Sequence, residues 1–168
     1  MIKLHGSVPV KRYLLKYALA TENLDIGEPL DLKNCGIIGF QLKLLLTNKT
    51  NVNHEDDISI NTLNKFDARL TFIIHAKLKA FNGFFISRKS IVIFNSFLHQ
   101  LFHEELLRAI IKAEENNILI ADVIHDFMNR YGIEEDEDIS FDAVKKANYR
   151  LRNSRNMVRF RQPSGISG

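Results

Sequence analysis

Tryptophan is absent from this chain, cysteine occurs once and proline three times. A single thiol, Cys35, excludes an internal disulfide and any zinc site built on cysteines. Its neighbours in Asn34-Cys35-Gly36 offer no base to activate a nucleophile, so a buried, inert small hydrophobe in a reducing compartment is expected. Long apolar runs are missing too. Leu70 to Ala76 and Ile91 to Phe94 fall far short of the roughly 20 residues that span a bilayer, so no membrane partner is expected. The start of the chain, Met1-Ile2-Lys3-Leu4-His5-Gly6, has no apolar stretch of the signal-peptide kind, and a cytoplasmic location is the expectation.

Catalytic signatures are equally scarce. Gly36-Ile37-Ile38-Gly39 lacks the third glycine of a dinucleotide fingerprint and the Lys-Ser/Thr pair of a phosphate loop, and there is no serine elbow. Neither enzymatic activity nor a cofactor is expected.

What is present is ordinary globular material: 168 residues, 45% hydrophobic and 26% charged, with 12 phenylalanines. A chain of that length buries about 70% of its unfolded surface and needs no covalent staple. The net charge of +3 is unevenly spread. Lys145 to Arg161 holds seven basic residues and no acid, while Glu134 to Asp138 is five consecutive acids. The basic segment alone exceeds the net charge of the whole chain, which leaves the remainder mildly acidic.

Periodicity predicts an α+β fold: a small antiparallel sheet with N-terminal helices, then a long helix and a C-terminal helical pair. Pro9, with Ser7 near the capping position, is expected to open a helix whose apolar side is Leu14, Leu15, Ala18 and Leu19. A turn at 25–29 precedes a short strand at Leu30-Asp31-Leu32, and 36–46 reads as a helix interrupted by glycines. The polar stretch 47–64 reads as a loop with a strand at Ile58-Ser59-Ile60. The clearest strand follows: Leu70, Phe72, Ile74, Ala76, Leu78 and Ala80 alternate with Thr71, Ile73, His75, Lys77 and Lys79, the second set facing water. Asn82-Gly83 signals a turn, and Phe84-Phe85-Ile86 a partner strand.

Ser87 or Ser90 then caps a long helix carrying Ile91, Phe94, Leu98, Leu101, Phe102, Leu106, Ala109, Ile110 and Ala113, ending at Asn116-Asn117. A second helix bears Ile120, Val123, Ile124, Phe127, Met128 and Tyr131, with Gly132 in the left-handed closing position. Asp138 or Ser140 caps a third, narrow-striped by Phe141, Val144, Ala147 and Leu151. Two units are expected, 1–117 and a basic helical 118–162, packed as one body.

Three groupings invite chemistry. His99 and His103 stand at i and i+4, but Gln100 occupies the position where a zinc protease carries its glutamate; surface histidines without metal are expected. His125 with Asp122 and Asp126 reads as a helical surface pair. The acidic run lacks the glycine and spacing of a calcium loop; it is expected to solvate a turn and favour the start of the next helix.

The basic end is different. Lys145, Asn148 and Arg152 share one line of the third helix and Lys146, Arg150 and Asn153 the next, interleaved with Tyr149; Arg155, Arg159 and Arg161 follow as an arm. Cations among Asn and Tyr are the residue types that meet phosphates and base edges. Lys145, Lys146, Asn148, Tyr149, Arg150, Arg152, Arg155, Arg159 and Arg161 are therefore the candidate nucleic-acid contacts, with DNA the expected partner. An interaction or assembly protein using the Phe-rich helix or a sheet edge is the alternative, and a homodimer through the long helix serves either.

The stretch from Tyr131-Gly132-Ile133 through the acidic run to Ser140-Phe141-Asp142-Ala143-Val144-Lys145-Lys146-Ala147-Asn148-Tyr149-Arg150-Leu151-Arg152 resembles the ends of small, largely uncharacterised phage and mobile-element proteins. The unit Phe84-Phe85-Ile86 followed by Ile93-Phe94-Asn95 is similar as well. The resemblance implies a phage or integrated-element setting and a helix-turn-helix-like reader of the kind found in phage transcription activators. Here the turn from Gly132 to Ile139 is about twice the usual 3–4 residues.

Overall fold

The computed structural model describes residues 3–46, 59–75 and 84–160, the side chains of Ile60 and 154–160 excepted. The described elements are β1 (Lys3–Val10), α1 (Arg12–Thr21), β2 (Leu30–Asp31), α2 (Ile37–Leu45), α3 (Ile60–Leu63), β3 (Ala68–His75), α4 (Arg88–Glu115), α5 (Ile120–Arg130) and α6 (Phe141–Phe160). The fold class is α+β, with the long helix and the C-terminal helices where the periodicity puts them.

The sheet runs β1-β3-β2. β1 is antiparallel to β3 from Lys3 opposite His75 to Val10 opposite Ala68, whereas β2 is parallel to β3. The sheet is thus mixed, not wholly antiparallel: alternation reports which face is buried and carries no information on direction. Leu70, Phe72 and Ile74 are buried as expected, but so is His75, placed on the watery side by the same alternation. Its imidazole meets Asp31 Oδ1 at 3.0 Å, so the parallel neighbour supplies a polar partner that lets the ring go inside. Burial would raise the Asp31 carboxyl, but the Lys33 amide, His75 and Lys3 outweigh it and hold it below the usual value. Lys77, Leu78, Lys79 and Ala80 lie outside the described residues.

Two other expectations change. Ser7 and Pro9 belong to β1, and the helix starts only at Arg12. Proline is tolerated on an edge strand because no further neighbour requires its N–H. Phe84 to Ile86 form none of the described strands; the Phe84 ring lies against Phe72, 6.2 Å between centroids. Phe72 in turn covers Gly6 directly across the strand pair, where a Cβ would stand 2.4 Å from the ring. Residues Ile60–Leu63 turn as one short helix in place of the strand expected there, and Ile58 is outside the described residues.

Three helices stop by one device. Asn23, Asn117 and Gly132 have φ of 55°, 56° and 60°, and in each case the next residue donates its N–H back to a carbonyl five positions earlier: Leu24 to Leu19, Ile118 to Ala113, Ile133 to Met128. These are Schellman closures, and asparagine and glycine occupy them because they accept the left-handed conformation most readily. At the opposite pole of α2, Glu22 accepts from the amides of Gly36 (2.6 Å), Ile38 (2.9 Å) and Gly39 (3.3 Å). A carboxylate from the end of α1 thereby satisfies the free N–H groups of α2.

α4 is the spine. At 1.5 Å per residue its 28 residues extend roughly 42 Å. Ser87 caps it, accepting from the Ser90 amide at 3.0 Å. Near its start Asn95 is buried, donating to the carbonyls of Pro9 (2.9 Å) and Ile91 (3.0 Å) and accepting from the Lys11 amide (3.2 Å). That one side chain fixes the strand-to-helix corner of β1 and α1 on the spine. Midway, Phe102 is fully buried among Tyr13, Tyr17 and Phe127, edge-on at 5.3, 5.5 and 5.2 Å. The buried hydrophobic cluster is continuous from Val8 in β1 to Val144 in α6.

Candidate functional site

The final helix carries the charge, so its placement decides the site. Ser140 accepts from the Ala143 amide at 3.3 Å and caps α6; Asp138 is engaged elsewhere. Its carboxylate turns inward, accepting from the Glu134 amide (2.8 Å) and from Lys16 Nζ on α1 (2.6 Å). Lys16 also reaches Glu134 at 3.3 Å, and these partners hold its ammonium above the ordinary pKa, Asp138 first, against the opposing effect of burial. The acidic run is therefore a lysine-anchored hinge between α5 and α6, not merely a solvated turn. His125 stacks on Phe141 (4.7 Å, 18°) and approaches Glu135 at 4.0 Å, in place of the expected pairing with Asp122.

From that anchor α6 runs unbroken to Phe160, so Arg155 and Arg159 continue the helix where a separate arm was expected, and Arg161 lies outside the described residues. Val144 and Asn148 form its buried line, with Ala147 and Leu151 half-buried beside them. Asn148 is thus withdrawn from solvent, against its expected role as a base reader. Its amide donates to the His103 carbonyl at 3.5 Å, because a small polar side chain fits where two helices approach closely. Arg152 is taken up as well: it meets Glu114 of α4 at 2.6 Å and clamps α6 to the spine.

Arg152 remains exposed though paired, and four further candidates are exposed outside any ion pair among the described residues: Lys145, Lys146, Tyr149 and Arg150. Tyr149 is 66% accessible, an unusual exposure for an aromatic ring. At 100° per residue the four fall within an arc of roughly 140°, Tyr149 between the cations. Among the described residues the three cations enter no ion pair. Beside this face opens a groove of about 370 Å³. Ile110, Ile120 and Ile124 line it from α4 and α5, and Asp142, Lys145 and Tyr149 border it from α6. Periodicity marked those isoleucines as core, and Ile110 and Ile124 are, at 3% and 1% exposed, while Ile120 at the start of α5 stays 37% exposed at the mouth of the groove.

On the other flank of α6 lies His103, 3% exposed, its ring 4.3 Å from that of His99. Neither ring nitrogen of His103 has a hydrogen-bond partner among the described residues. Burial first, then His99 and Lys11, pushes its pKa down to about 4. The surface position expected for it is wrong because its apolar neighbours on α4 and the arriving α6 enclose that side of the helix. No group of three or more His, Cys, Asp or Glu among the described residues is placed to hold a metal.

Cys35 is half-buried, its thiol donating to the Leu32 carbonyl at 3.6 Å, and burial pushes its pKa up, away from a reactive thiolate. Among the described residues no helix is long and apolar enough to cross a membrane. No family model, curated protein or solved structure matches this chain.

Proposed function

We propose that this protein is a non-enzymatic nucleic-acid-binding accessory or regulatory protein acting through the exposed basic face of α6. The observation that carries the reading is the grouping of Lys145, Lys146 and Arg150, free of ion pairs among the described residues, around the exposed ring of Tyr149. A cation held on a rigid helix outside any ion pair is available to a phosphate and loses little ordering entropy when it binds. Arg155 and Arg159 extend the same helix and add to its charge. Arg152 has a positioning part, since its pairing with Glu114 fixes the helix that presents the others. The phage or mobile-element setting implied by the resemblance belongs to this reading.

Salt titration of binding is the test. Each phosphate contact contributes a log–log slope of about −0.9 on duplex and about −0.7 on single strands. Joint replacement of Lys145, Lys146 and Arg150 by alanine should flatten that slope by roughly two to three units and weaken all sequences alike. An intact protein without salt-sensitive binding to any strand at micromolar concentration sinks the proposal.

A second reading, docking of a protein partner, is favoured by a separate feature. Ile37, Phe40 and Leu44 form an exposed apolar line on α2, 57%, 51% and 56% accessible. The Phe-rich face of α4 does not support that reading, because Phe94 and Phe102 are wholly buried. Replacing Phe40 by Ser should abolish the partner interaction on this reading and leave nucleic-acid binding unaltered on the first.

A further inference from the structure

We infer that the groove beside Tyr149 is a slot for an unpaired nucleobase, so that the ligand of the α6 face is a single strand and not a duplex. The inference rests on the nucleic-acid reading above and names its substrate class. A duplex reader needs polar side chains that project from the helix to base edges in a groove. The two residues best suited to that work line the groove but are already engaged within the protein, Asn148 on the His103 carbonyl and Arg152 on Glu114. What the face offers instead is an apolar floor, an exposed aromatic wall and a cationic rim. Ile110, Ile120 and Ile124 supply the floor, and the Tyr149 ring forms one side. Lys145, Lys146 and Arg150 also border the groove, within reach of the phosphates on either side of a seated base. Stacking on an aromatic ring under a basic track is how single strands are held, because every base has a π face and unstacked bases are free to leave the strand.

The volume of about 370 Å³ falls within the range of about 300–1,000 Å³ typical of small-ligand sites, and the groove is open along one side, as a base still attached to its strand requires. One acid lines it. Asp142 repels phosphate, but its carboxylate accepts hydrogen bonds and so suits the exocyclic amino group of cytosine or adenine, which thymine and uracil lack. The slot accordingly favours amino-bearing bases over thymine or uracil.

The experiment uses the full chain and short fluorescein-labelled oligonucleotides followed by fluorescence anisotropy: oligodeoxycytidine, its RNA counterpart, oligothymidine, the oligodeoxycytidine–oligodeoxyguanosine duplex, and an oligodeoxycytidine with internal abasic sites. Single strands should bind about tenfold or more tighter than the duplex, with the cytidine strand ahead of thymidine. Tyr149→Ala should weaken the single strand by about 5- to 150-fold and leave duplex binding unchanged, while Tyr149→Phe retains affinity. The abasic strand should behave toward the intact protein as the full strand does toward Tyr149→Ala. Tyr149 is exposed, so the variant keeps the fold, which far-UV circular dichroism verifies. A preference between the DNA and RNA cytidine strands assigns the sugar, and either preference supports the slot. Duplex binding as tight as single-strand binding, or Tyr149→Ala weakening both alike, overturns the slot while the phosphate-binding face survives. Binding to none of the strands overturns both readings and gives the groove to a protein partner.

Discussion

The two ends of α4 are built on different terms. At the sheet-side end Asn95 makes three hydrogen bonds, to β1, to Lys11 just before α1 and to its own helix, and Phe94 and Leu98 are sealed beneath. At the far end Ile111, Ile118, Leu119 and Ile120 are 45%, 50%, 70% and 37% exposed, and α6 is attached by Val144 in the core, the Phe141 ring against His125, one partly exposed ion pair and one long amide hydrogen bond. At the first end the buried polar group is fully paired, and Ile93, 41% exposed, is the large apolar side chain of α4 left open there. The second retains apolar and cationic surface with nothing over it among the described residues. Stability is concentrated where the side chains are enclosed, and binding capacity remains where they are not.

The sharpest way to break this contrast is Phe102→Ala, at the junction of the two ends. Removing a ring that contacts Tyr13, Tyr17 and Phe127 should cost about 3–5 kcal/mol of unfolding free energy in urea melts. An effect below about 1 kcal/mol would mean that the halves do not share this core.

Acid should act next most strongly, and on the α6 side. His103 is neutral when folded, with a pKa of about 4 against an ordinary 6.5. The unfolded chain therefore binds the extra proton first, so the stability due to this group is full above pH 6.5 and falls as pH drops toward 4. Between those limits the loss should approach ~3 kcal/mol, at about 1.36 kcal/mol per pH unit. Urea midpoints measured across that range should flatten in His103→Leu.

The lysine-anchored hinge comes third. Asp138→Ala strips Lys16 and the Glu134 amide of their acceptor and should cost about 1–3 kcal/mol. Because Lys16 titrates above its ordinary 10.5, its contribution is intact below that pH and disappears as alkali carries the solution through the raised value. Thermal melts of wild type and Asp138→Ala that converge at high pH would agree.

Smallest should be the surface of α6. Arg152→Ala breaks an ion pair whose members are 44% and 34% exposed, worth at most about 1 kcal/mol. Tyr149→Ala should stay within about 0.5 kcal/mol. A large destabilisation by Tyr149→Ala would show that the ring is structural and erase the contrast between the ends.

Much of this organisation was legible without coordinates. The three-four spacing on α4 and α5, the alternation over Leu70 to Ile74, Gly132 as a helix closer and Ser87 as a cap are local properties, set within a turn or two of chain by backbone sterics and side-chain periodicity. The candidate site was half legible: Lys145, Lys146, Tyr149 and Arg150 are exposed as their types suggest, whereas Asn148 was misread because a polar residue beside cations gives no sign that its side faces a neighbouring helix. Composition and charge run likewise fixed where the basic surface would lie along the chain.

Only the tertiary structure decided which polar groups went inside. His75, Asn95 and Asn148 are buried because Asp31, the β1–α1 corner and the His103 carbonyl meet them, partners that lie between 44 and 86 positions away in the sequence for the hydrogen bonds to Asp31, Pro9 and His103, whereas His103 is enclosed by the arrival of α6 with neither ring nitrogen paired among the described residues. The direction of β2, the inward turn of Asp138 onto Lys16 and the capture of Arg152 by Glu114 belong to the same class. Periodicity is a property of neighbours along the chain; the burial of a polar group depends on what chain closure brings against it, and the groove beside Tyr149 exists only because α4, α5 and α6 meet at one end without filling the space between them.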